Sequence, residues 1–180
     1  MGIAQAIQQI WKPKPSQSLP QIIKFNAAKF DLDWKLVACI IYQESGGDEE
    51  AYRFEDAFYD KLLADKRKDE LVGYVPNFPP TLTSEKRARS ASYGVMQVMG
   101  ETARLMGFAE RWLTKLRFSE NNVYIGCKYL RHLFDKAAKI SGGREQLVWV
   151  LTRWNGSSSY PAIIFDHMEK ERWRQIMLPT

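Results

Sequence analysis

A mainly α fold with one small extended or β elaboration is what this sequence predicts, on three observations. Apolar residues recur at helical spacing in segment after segment, as in Trp34, Val37, Ala38, Ile41 and Tyr42, or Val123, Cys127, Leu130, Leu133 and Phe134. No strand alternates with helix in a βαβ pattern, and no glycine-rich phosphate loop opens a helix. Only Tyr52-Arg53-Phe54-Glu55 alternates aromatic with charged residues, and a short extended segment there places Arg53 and Glu55 on one face.

The 180 residues are 45% hydrophobic and 26% charged, which suits one globular domain with a sizeable core. A net charge of +5 favours an anionic partner, such as nucleic acid, a membrane surface or a polyanionic wall. The basic clusters Lys66-Arg67-Lys68 and Lys86-Arg87-Ala88-Arg89 sit among acids or turn residues and read as solvated loop charge. Cys39 and Cys127 lie in apolar helical patterns and read as buried free thiols. His132 and His167 are scattered, so no metal site and no cofactor is expected. No run approaches the ~20 apolar residues of a membrane helix, and Met1–Ile10 lacks the features of a secretory signal. A chain made in the cytoplasm, acting as a monomer and without membrane insertion, is the expectation.

Residues 1–19 read as an N-terminal segment and linker, with a short helix over 3–11 and the breaker-rich Lys12-Pro13-Lys14-Pro15-Ser16-Gln17. The domain proper is expected over 20–180. Pro20 opens a helix reaching Phe30. Asp31 or Asp33 caps the next helix, and Gly46-Gly47 ends it. Glu44 therefore falls in the last turn of an apolar helix. The negative end of the helix dipole and partial burial both oppose its ionisation. A carboxylic acid that stays protonated near neutral pH suits general-acid catalysis. An exposed glutamate at a helix end is the plain alternative.

Residues 52–90 read as an insertion around a cleft, with a helix over Phe58–Lys68 and a loop over Gly73–Thr83. In the stretch from Ala91 to Gly100, small and apolar residues surround one amide, Gln97, and Gly94 marks a tight backbone position. Further helices are expected over Thr102–Gly107, around Trp112–Leu116, and over Val123–Phe134, Arg144–Trp154 and Ala162–Met177, with a turn-rich loop at Asn155–Pro161.

Four stretches in order resemble the goose-type lysozyme and soluble lytic transglycosylase superfamily. Glu44-Ser45 matches its Glu-Ser motif, and Gly94-Val95-Met96-Gln97 its Gly-Leu-Met-Gln motif. Asn122, Val123, Gly126, Tyr129 and Leu130 fit its Asn-Ile-x-x-Gly-x-x-Tyr-Leu helix, and Trp154-Asn155-Gly156 stands where the family has Tyr-Asn. The likeness spans about Pro20 to Pro161. The 52–90 insertion departs from it and is reminiscent of bacteriophage members.

The resemblance implies a lysozyme-like α+β domain that cleaves the β-1,4 bond between N-acetylmuramic acid and N-acetylglucosamine in peptidoglycan. Glu44 is then acid and base. Ser45, Ser92, Tyr93, Met96, Gln97, Trp154, Asn155 and Tyr160 are the substrate-binding candidates, the aromatics and Met96 as faces for sugar rings. Trp154 replaces a family tyrosine whose hydroxyl lies near the reacting centre. Indole N–H donates but cannot accept, so that role is either lost or supplied from elsewhere, with Tyr93 and Tyr160 as the candidates. A phage or prophage endolysin, or a virion-borne wall enzyme, is the expected setting. The competing readings are a hydrolytic muramidase with a second carboxylate from Asp48, Glu55 or Asp56, Glu55 being favoured, a catalytically inert wall-binding module, and a nucleic-acid binder resting only on net charge and aromatic content.

Overall fold

The computed structural model describes residues 17–73, 81–140 and 142–178; the expected helix over 3–11 lies outside them. Helix α1 (Leu19–Lys29) starts at Ser18 in a capping box with Gln21. Helix α2 (Trp34–Ser45) starts at Asp33, whose side chain accepts the Lys35 N–H, and ends at Gly46 with φ 65°. Leu36 through Ile41 are all buried, so α2 is enclosed on every side and not merely on one stripe. Burial of each Leu, Val or Ile side chain among them contributes about 1.5–3 kcal/mol. The remaining helices pack around this rod: α5 (Ser119–Lys136), α6 (Gly143–Asn155), α7 (Tyr160–Glu169) and α8 (Trp173–Met177). Of these, α7 and α8 lie directly against α2, while α5 packs on α1 and α6.

A three-stranded antiparallel sheet stands beside the helices, in the order β1 (Tyr52–Phe54), β2 (Ala91–Tyr93), β3 (Val98–Met99). Arg53 pairs with Ser92, and Ser92 with Met99, so these three share one face. Tyr52, Tyr93 and Val98 share the other. The sheet thus extends beyond the one short β element expected.

Three further expectations need correcting. The segment after Glu55 is a helical turn, Asp56–Phe58, running into a π-helical stretch, Tyr59–Leu63, which stops short of Lys68. The last helix is two, because Glu171 takes φ 51° and turns the chain between α7 and α8. The basic cluster at 86–89 is not solvated loop charge. It belongs to helix α3 (Leu82–Arg89), where Lys86 and Arg89 are buried.

Buried Arg89 survives because it is fully partnered. It meets Glu85 at 3.0 Å and Glu101 at 2.7 Å, and donates to the Val72 carbonyl. Arg104, on α4 (Gly100–Leu105), meets the same Glu85 at 2.7 Å and donates to the Phe108 and Glu110 carbonyls. This network ties the far end of the insertion to the body of the domain. Cys39 and Cys127 are buried and unpaired, as expected.

The loop between β2 and β3 is held from α5. Asn122 is wholly buried; its Oδ1 accepts the Met96 N–H at 2.7 Å, and its Nδ2 donates to the carbonyls of Tyr93 and Leu116. A Cβ on Gly94 would stand 2.8 Å from that amide, and one on Gly126 would stand 2.4 Å from the Met96 sulfur. Asn122→Ala strands three buried backbone groups, each costing about 1–3 kcal/mol. It should lower the unfolding free energy by about 3 kcal/mol or more in denaturant titration.

Candidate active site

Helix α2 delivers Glu44 to the floor of a cleft of about 390 Å³. The sheet face carrying Arg53, Ser92 and Met99 forms one wall. Tyr129 of α5 and the end of α6, Arg153 to Gly156, form the other. Phe58, Glu55, Gln97, Val98 and Thr102 complete the lining.

Two donors converge on one oxygen of Glu44. The Tyr160 hydroxyl donates to Oε1 at 2.6 Å and the Trp154 indole N–H to the same atom at 3.3 Å. Tyr160 is itself buried, and burial beside Glu44 pushes its phenol far above the usual range, so it stays a donor. With Oε1 accepting twice, Oε2 is the oxygen suited to carry the proton. Desolvation by burial raises the Glu44 carboxyl above its ordinary value, against the opposing pull of Tyr160, Trp154, the Arg53 charge and Asn155. The position at the carboxyl end of α2 acts in the same direction as burial.

The other sequence candidates divide sharply. Ser92 lies on the cleft wall, and Asn155 lines the cleft close enough to act on Glu44. Gln97 lines it too, in a left-handed conformation (φ 47°), but its Nε2 is taken up by the carbonyls of Ala51 and Gly94. It offers a ligand its oxygen. Trp154 is half-buried with its ring against Tyr129, so it presents an N–H to Glu44 more than an open face to a sugar.

Four candidates do not line the cleft: Tyr160, buried against Glu44 with no face open to a sugar, and three others. Met96 is fully buried against Gly126. Tyr93 falls on the opposite face of β2 from Ser92, and its hydroxyl donates to the Ala88 carbonyl. Ser45 donates to the Val95 carbonyl at 2.8 Å and accepts from Gly47, pinning the helix end to the β2–β3 loop. Their motifs shape the site from beneath. Of the two tyrosines named as candidates to stand in for the family hydroxyl, Tyr160 is the one that touches Glu44. Glu55 does line the cleft, joined to Arg53 through the guanidinium Nε.

Tyr129, Arg153, Phe58, Met99 and Thr102 were not singled out as site residues. Tyr129 carried a signal, since it sits in the same helical motif as Asn122 and Gly126. Met99 and Thr102 carried none, because their place depends on β3, which two residues define.

Comparison with protein-family models gives a match to the transglycosylase SLT domain over residues 21–174. The chain belongs to that family. At the level of the family, this SLT domain is a lytic transglycosylase with peptidoglycan as its substrate. No curated protein and no solved structure matches it. No helix among the described residues of the SLT domain is long and apolar enough to cross a membrane. No cluster of metal-binding side chains is found among them either.

Two outcomes follow from the Glu44 environment. Tyr160→Phe removes a bond that favours the carboxylate, so the Glu44 carboxyl should rise further. The alkaline limb of kcat/KM should then move to higher pH, with a loss in rate of about tenfold from lost positioning. The second concerns stability. A carboxyl raised in the fold is harmless below its unfolded value, about 4.3, and destabilises as pH rises through the folded value. Glu44→Gln should therefore raise Tm at neutral and alkaline pH, and the gain should vanish below about pH 4.

Proposed function

We propose that this SLT domain cleaves the β-1,4 bond between N-acetylmuramic acid and N-acetylglucosamine, with Glu44 as acid and then base. Oε2 protonates the glycosidic oxygen as the bond to the muramic C1 breaks. The substrate's own N-acetyl group supports the positive charge that develops there. The Glu44 carboxylate then takes the proton of the muramic 6-hydroxyl, whose oxygen closes on C1. The products are a 1,6-anhydromuramic end and a free N-acetylglucosamine end, and Glu44 is again protonated.

The observation that carries this reading is the state of the two cleft carboxyls. Glu44 is desolvated and held by two donors on one oxygen. Glu55 already has the Arg53 guanidinium as its partner. Glycosidases that rely on two carboxylates set them at ~5–5.5 Å or ~6.5–9.5 Å and need both available. Asn155 and the Gln97 oxygen suit sugar hydroxyls and acetamide, and the Arg53 charge favours Glu44 once it has given up its proton.

A second reading is supported by the presence of Glu55 in the cleft lining, paired with Arg53. There, Glu55 activates a water and the enzyme is a hydrolytic muramidase. Mass spectrometry of muropeptides released by the wild type and by Glu55→Gln separates the two. Anhydro-muropeptides from both proteins are the expected result. Reducing-end products from the wild type, with Glu55→Gln folded but inactive, would overturn it. Glu44→Gln should lose at least ~10²–10⁴ in rate on the same substrate.

A further inference from the structure

A second hollow, of about 600 Å³, opens beside the cleft along α6. Arg153 and Gly156 line both, so the two adjoin. The catalytic reading uses neither residue. The floor of the hollow is apolar, made by Ile140, Val148 and Trp149, with Thr152 on its wall. Its charged groups are Arg153 and Glu145, both exposed. The Arg153 guanidinium lies over the Trp149 ring, 5.4 Å from its centre. Among the described residues, neither Arg153 nor Glu145 has a salt-bridge partner of opposite charge.

We propose that this hollow receives the peptide stem of the strand whose glycan occupies the cleft, with Arg153 holding a stem carboxylate. The inference rests on the peptidoglycan reading of the Glu44 cleft. A glycan alone is a poor occupant, because neutral sugars leave a guanidinium and a carboxylate unanswered. The stem hangs from the lactyl arm of muramic acid, close to the bond that Glu44 would break. It combines small apolar side chains with carboxylates and, at a diamino acid, an ammonium group. These match the floor, Arg153 and Glu145 in turn. Stacking on Trp149 limits the rotamers of Arg153, which reduces the ordering needed to bind a carboxylate.

The test compares two substrates: peptidoglycan strands carrying their stems, and the same strands stripped of stems by an amidase. Arg153→Gln should lower kcat/KM on stem-bearing strands about tenfold more than on stripped ones, the size expected for one charge-assisted hydrogen bond. Arg153→Lys, which keeps the charge, should restore part of that difference. An equal change on both substrates, or no change on either, would overturn the inference while leaving the Glu44 chemistry standing. A wild type that cleaves neither substrate would remove the functional reading itself, and the stem site with it.

Discussion

The whole site hangs on one buried amide. Asn122, on the first turn of α5, satisfies the Met96 N–H and the carbonyls of Tyr93 and Leu116 at once. That fixes the loop joining β2 to β3, and with it the cleft wall that faces Glu44. Two glycines allow the contact. At Gly94 a side chain would collide with the amide, and at Gly126 it would collide with Met96. From the opposite side, Ser45 bonds the Val95 carbonyl and so joins the same loop to the end of α2. Helix α2 and the sheet are therefore located by a single small piece of backbone, clamped from two helices.

This arrangement explains how an acid can be kept where physics disfavours its charge. In the proposed reaction Glu44 must leave water to protonate a leaving oxygen, yet it must stay oriented. Donors that bind one oxygen orient the carboxyl but also stabilise the anion. Burial outweighs them here, and the carboxyl end of α2 adds to burial. Trp154 and Tyr160 suit this compromise because both act as donors: the indole has no lone pair to offer, and the buried phenol holds its proton. Neither competes with the substrate for the proton on Oε2.

Helix periodicity made the fold class legible. The enclosed run from Leu36 to Ile41, the Asp33 cap and the Gly46 stop are local features that the chain displays without tertiary context. Glu44 was legible for the same reason, since its position at a helix end can be read from its neighbours. Roles that depend on which way a strand faces were not. Tyr93 and Ser92 are adjacent, and a pairing register set by Arg53 sends one to the core and the other to the cleft. Met96 looks like a ligand face until Gly126, thirty residues on, turns out to make room for it. The Arg89 cluster misleads in the same way, because Glu101 reaches Arg89, and Arg104 reaches Glu85, only once α3 and α4 are packed together. Long-range partners decide each of these cases.

The most direct check is the titration of the Glu44 carboxyl itself, followed through its side-chain carbon resonance by NMR in the folded wild-type protein and assigned with Glu44→Gln. A midpoint clearly above the ordinary glutamate value of about 4.3 is the predicted result, because burial dominates the four groups that favour ionisation. A midpoint at or below that value would mean Glu44 is an ionised structural carboxylate at neutral pH, and the account of it as a general acid would be contradicted.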